Sequence, residues 1–135
     1  MKHNHYTQYV IINTEYNKDC ITGRLAAEIY ENLLSFLAES LKKDSRKSPI
    51  DKIFDKETMD WLSHPQVTIL EIQSKAKLQD LADRLSSDGI RFSIVYRDFQ
   101  KREPVAITFK PYNKGRVAQY FKNLRRFGGK NRTRT

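Results

Sequence analysis

The most constraining feature of this sequence is the stretch from Gln8 to about Leu41, where one apolar pattern gives way to another. Tyr9-Val10-Ile11-Ile12 is a continuous apolar run, too short for a helix and too apolar for an exposed edge, which predicts a buried strand. Glu15 to Asp19 form the loop that follows. From there the apolar residues fall at Leu25, Ile29, Leu33, Phe36, Leu37 and Leu41, the spacing of one helical face, so a long helix is expected to open at Thr22-Gly23-Arg24 and run to about Lys43. The rest of the chain has to pack on this unit. A helix that starts beside the end of a central strand offers free N–H groups and a positive dipole end, which suits an anion or a reacting carbonyl. Thr22, Gly23 and Arg24 are therefore the first place to look for chemistry.

Asp44 to Pro49 break the helix, and Ile53, Phe54, Met59, Trp61 and Leu62 mark one or two helical turns that close before Pro65. Val67 to Gln73 read as a second strand, with Ser74 capping a helix built on Leu78, Leu81, Ala82 and Leu85 and ended by Gly89. A third strand, Arg91 to Arg97, closes a right-handed crossover between parallel strands. Only Phe99 to Glu103 separate it from a fourth, Val105 to Lys110, so these two are expected to be antiparallel neighbours. Pro111-Tyr112-Asn113 end that strand, and Asn113 caps a last helix with Val117, Tyr120, Phe121, Leu124 and Phe127 inward and Gly128-Gly129 as its stop. The expected fold is α/β: a single-domain layered sandwich in the order β-α-α-β-α-β-β-α, with a four-stranded mixed sheet and helices on both faces. Residues 1–127 make the domain and 128–135 a flexible basic tail. Strand ends and helix starts would gather Asn13 to Arg24 and Asp98 to Arg102 on one rim.

At 135 residues one domain is the expectation. No apolar run reaches the roughly 18 residues of a membrane span, and the first residues lack a signal-peptide core, so a soluble cytoplasmic protein is expected. The single cysteine, Cys20, rules out an internal disulfide and has no metal-type spacing around it. His3 and His5 form a His-x-His with no acidic partner nearby, His64 precedes Pro65 in a loop and reads as structural, and neither a phosphate-cradling glycine loop nor a serine elbow is present, so no metal and no cofactor are expected. The net charge of +9 is concentrated: residues 101–135 hold eleven Lys or Arg against Glu103, leaving the first hundred residues at −1. A basic end on a near-neutral body points to a polyanion, with nucleic acid ahead of a membrane. Lys101, Arg102, Lys114, Arg116, Arg125 and Arg126 are the expected phosphate contacts, with Tyr112 and Phe99 as candidate stacking surfaces.

Three local sequences then carry a resemblance. Gly23-Arg24-Leu25-Ala26-Ala27-Glu28 opens the long helix, Asp60-Trp61 precede the second strand, and Ser93-Ile94-Val95-Tyr96-Arg97-Asp98 form the third. Together with the element order they resemble the class II peptidyl-tRNA hydrolases, the type typical of archaea and eukaryotes, over roughly Gln8 to Phe127. The resemblance implies tRNA as partner and hydrolysis of the ester that joins a peptidyl or aminoacyl group to it. It implies Asp98 as the group that orients or activates water, and Arg24 with the helix-opening N–H groups as oxyanion or phosphate donors. The family's lysine is Arg24 here and its histidine falls at Glu31, which takes a polar role in its place. The family's threonine-containing loop is replaced by Phe99 to Pro104, where Gln100 is the residue able to orient a water. Two other readings use the same residues: a catalytically silent RNA or ribonucleoprotein-binding module on the same fold, and a protein-interaction domain that forms a homodimer.

Overall fold

A computed structural model describes residues 5–16, 23–43, 56–98 and 103–127. Strand β1 (Tyr6–Asn13) ends in a single 3-10 turn, Thr14–Tyr16, and the long helix α1 (Gly23–Lys43) follows. Then come α2 (Lys56–Leu62), β2 (Val67–Ile72), α3 (Lys75–Ser87), β3 (Phe92–Asp98), β4 (Glu103–Asn113), α4 (Lys114–Phe121) and a two-residue strand β5 (Arg125–Arg126). The expected α/β layering and mixed sheet are present, but the sheet has five strands where four were expected, in the order β3-β4-β1-β2-β5. β1 and β2 are parallel; β4 is antiparallel to both β1 and β3, so β3 points the same way as β1.

β1 lies between two partners, and this is why Thr7 to Asn13 are all buried. Its alternation sorts the core into two layers. Tyr9 and Ile11 join Leu70, Ile72, Ile107 and Phe109 under α3 and α4, which contribute Leu78, Leu81, Leu85, Val117 and Phe121. Val10 and Ile12 join Leu25, Leu33, Val95 and Val105 under α1. Gln8, buried among them, donates from Nε2 to the carbonyls of Leu33 and Phe109, at 3.2 and 3.0 Å, and so ties α1 to the sheet. Trp61 is also buried, its Nε1–H donating to the carbonyl of Gln66 at 2.8 Å just ahead of β2. Helix caps follow the local chemistry: Ser74 accepts from the amide of Lys77 and Asn113 from that of Gly115.

Two boundaries differ from expectation. β4 runs on through Pro111 to Asn113, and both of its prolines sit where the ladder is already interrupted. Pro111 lies opposite a register shift in β1 between Gln8 and Val10, and Pro104 opposite one in β3 beside Tyr96. A proline's missing N–H is tolerated at such bulges. α4 ends at Phe121 instead of continuing to Phe127, because the chain that follows crosses the sheet edge. Leu124 packs with the core layer under α3 and α4, whereas Phe127 packs with the layer under α1. No single helical face reaches both. In passing, Arg125 and Arg126 pair antiparallel with Glu71 and Leu70, covering the edge of β2 that would otherwise be open. The tail, 128–135, and Cys20 lie outside the described residues.

Candidate active site and the basic surface

The parallel course of β1 and β3 brings their C-terminal ends to one rim of the sheet. Asp98 closes β3 opposite Glu103, and Asn13 closes β1 opposite Ile72. Asn13 is fully buried and welds the rim together. Its Nδ2 donates to the carbonyl of Pro104 at 3.2 Å, and its Oδ1 accepts from the amide of Glu15 at 2.9 Å. Thr14 Oγ1 donates to the carbonyl of Ile72 at 3.2 Å, and Glu15 Oε1 accepts the first amide of α3, at Lys75. The chain leaving β1 is thus bonded to β4, to β2 and to α3 within three residues. α1 starts beyond this junction at Gly23 and has no acidic residue in its first turn to neutralise its positive end.

Arg24 is the second residue of α1, and the side chains of Arg24 and Asp98 lie outside what the structure describes. Glu31, seven residues on from Arg24, lies on the same side of the helix by its spacing and is exposed. Gln100, Lys101, Arg102 and Phe99 fall in the 99–102 segment, outside the described residues.

The remaining basic candidates divide between the two ends of the sheet. Lys114 and Arg116 open α4 beside Asn113, which pairs with Tyr6. That end is seven residues of β1 away from Asn13, about 23 Å. Arg116 is held there: its guanidinium donates to Glu57 at 3.0 Å and lies 5.0 Å from the centre of the Tyr112 ring. Arg125 and Arg126 sit on β5, with Arg125 ion-paired to Glu71 at 2.9 Å. The expected stacking role of Tyr112 is corrected by its burial. Its hydroxyl accepts the amide of Arg91 at 2.8 Å, and Lys110 and Arg116 flank its ring.

The sequence places Asn13 and Glu15 on the rim, within the span from Asn13 to Arg24, but assigns neither of them a role. A polar residue directly after an apolar strand was the available signal. Sequence reading passed over a groove of about 640 Å³ between α3 and the α4–β5 turn, lined in part by Lys77, Arg84, Lys122 and Arg125. Beside this groove Tyr120 is buried and donates from its hydroxyl to Asp88; that bond, with burial, holds its pKa above the usual 10.0. Among the described residues, no group of three or more His, Cys, Asp or Glu is placed to hold a metal ion, and no helix is long and apolar enough to cross a membrane.

Comparison with protein families matches the model described as Peptidyl-tRNA hydrolase PTH2 over residues 6–127. The chain belongs to the PTH2 family. The match takes in β1 through β5 and both sides of the rim, so the resemblance read from Gly23–Glu28 and Ser93–Asp98 is a family relationship. No curated protein gives a significant match. Among solved structures, a protein of unknown function from Agrobacterium tumefaciens is similar in fold. The TM-score is 0.57 at 10% identity, covering 93% of this PTH2 chain and 100% of the other.

Proposed function

We propose that this PTH2 protein hydrolyses the ester between a peptidyl or aminoacyl group and the terminal ribose of tRNA. The observation that carries this reading is the shared rim: Asp98 ends β3 there, and α1, whose Leu33 carbonyl meets Gln8 early in β1 and whose Leu25 shares a core layer with Ile12 and Val105, has its start toward the same end of the sheet, where the Asn13–Pro104 bond fixes the strand ends. In this reading the Asp98 carboxylate accepts a proton from the attacking water as its oxygen bonds to the ester carbon. The negative charge that develops on the carbonyl oxygen is met by the opening N–H groups of α1 and by the Arg24 guanidinium. Collapse of the tetrahedral intermediate expels the ribose oxygen, which takes up the proton held by Asp98. Gln100 orients the water, and Glu31 supplies a polar wall further along α1. The basic residues hold the RNA through its phosphates, independently of base identity.

The experiment is product analysis after incubating the full chain with N-blocked aminoacyl-tRNA in molar excess of enzyme. Release of the N-blocked amino acid with tRNA of unchanged length and a free 3′ end supports the reading. Binding of the same tRNA with no release favours the silent RNA-binding module, and neither binding nor release leaves the interaction domain.

A further inference from the structure

The groove between α3 and the α4–β5 turn lies on the sheet face opposite α1 and has the makings of a binding site of its own. One side is a single face of α3, where Lys77, Asp80, Leu81 and Arg84 follow at helical spacing; the other is formed by Gln119 to Arg125. Four cations, Lys77, Arg84, Lys122 and Arg125, face two carboxylates, Glu71 and Asp80, and Glu71 is already engaged by Arg125. Among the described residues, Lys77 and Lys122 take part in no ion pair. Arg84 is placed against the groove wall, its guanidinium carbon 5.3 Å from the centre of the Tyr120 ring. Two exposed lysines without an ion pair, beside an arginine held on an aromatic ring and over an open groove, suit an extended polyanion better than an enclosed small molecule.

The floor of the groove includes Glu71, Ile72 and Gln73, at the C-terminal end of β2, and Ile72 is the register partner of Asn13. The groove therefore opens at the same end of the sheet as the rim. Within the sheet three strand spacings, about 14 Å, separate β2 from β3.

We propose that this groove binds the phosphodiester backbone of RNA a few nucleotides from the end that carries the ester; the position along the RNA rests on the hydrolase reading above, the contact itself does not. Lys77 and Lys122 are its principal phosphate contacts, and Arg125 leads from the groove onto the β5 edge.

The test is binding of fluorescently labelled, deacylated tRNA to the full chain across a salt series. It compares wild type, the Lys77→Glu/Lys122→Glu pair, the milder Lys77→Gln/Lys122→Gln pair, and Lys56→Glu/Arg91→Glu. This last pair makes the same change of net charge on surface ion pairs elsewhere. The groove variants are expected to weaken binding at least about tenfold and to lower the slope of log affinity against log salt by about 1.4 to 1.8, the loss of two phosphate contacts. The Gln pair should lose a smaller part of the affinity with the same change of slope. The control pair should change binding less than about threefold, since screened surface charges away from the contact add little. Equal losses in the groove and control pairs, or no loss in the groove pairs, overturn the proposal. The hydrolase reading is judged separately. If the groove pairs lose binding while the wild type releases no acyl group, the RNA groove stands and the hydrolase reading falls.

Discussion

Asn13 and Pro104 are joined by a hydrogen bond between two buried groups, Nδ2 to carbonyl oxygen at 3.2 Å, and this bond fixes the end of β1 to the foot of the β3–β4 pair that carries Asp98. Asn13→Ala leaves the Pro104 carbonyl and the Glu15 amide without their partner, at a cost of about 2–3 kcal/mol. Asn13→Asp keeps the acceptor for Glu15 but sets a buried carboxyl against a carbonyl, which raises its folded-state pKa above the unfolded value of about 3.9. Its contribution to stability is full below that value and is lost as pH rises through the raised folded pKa. Denaturant melts at pH 4 and pH 7 should therefore show the larger deficit, relative to wild type, at pH 7.

Two glycines give opposite predictions. Gly89 ends α3 at φ +75°, with its amide bonded to the carbonyl of Ser86 at 3.1 Å, and a Cβ there would meet nothing within 4 Å. The left-handed backbone alone makes Gly89→Ala costly, by about 1 kcal/mol in chemical denaturation, with Gly89→Asn costing less. Gly23 has no such φ, and a Cβ on it also meets nothing within 4 Å among the described residues. Gly23→Ala should leave stability within about 0.5 kcal/mol of wild type. If the start of α1 touches the reacting ester, the same variant slows acyl release by about tenfold or more; an unchanged rate removes α1 from the site.

Tyr120 reports on the alkaline side. Its hydrogen bond to Asp88, with burial and the nearby negative charge, raises its pKa above 10.0, against the smaller opposing effect of Arg84 and Arg116. The neutral phenol is the bonded form, so its stabilisation is complete below pH 10 and is lost as pH rises through the raised folded value. Tyr9, raised chiefly by burial, behaves alike. Ultraviolet titration of the folded protein should show these two phenols ionising above pH 10.0. Tyr120→Phe should remove one late ionisation and cost about 1 kcal/mol at neutral pH.

The parts of the fold that were legible in the sequence are those set by neighbours in the chain. Ser74 and Asn113 cap helices within three residues of themselves, Gly89 stops one, and the Leu25-Ile29-Leu33 stripe declares its face by period alone. What was hidden depends on partners far along the chain. Val117, Tyr120, Phe121 and Leu124 fit a helical stripe whether or not the helix continues, and only the β2 edge and the two core layers decide that it ends at Phe121. Pro104 and Pro111 read as strand ends because the bulges that admit them belong to β3 and β1. At the rim, Asp98 was visible at the end of a strand, whereas Asn13 acquires its meaning only through Pro104. In the groove, Lys77 and Lys122 are brought together from positions 45 residues apart by the packing of α3 and the α4–β5 turn on one sheet face.

The central claim is that a carboxylate at the end of β3 drives ester hydrolysis. Its most direct test is the single-turnover rate of acyl release from N-blocked aminoacyl-tRNA by wild type, Asp98→Asn and Arg24→Lys, with tRNA affinity measured in parallel. Asp98→Asn keeps the size of the side chain and removes its basicity. It is predicted to slow release by about 10²- to 10⁴-fold while tRNA binding changes less than about threefold, and Arg24→Lys to keep a measurable rate. Release by Asp98→Asn at the wild-type rate would contradict the account and remove Asp98 from the chemistry.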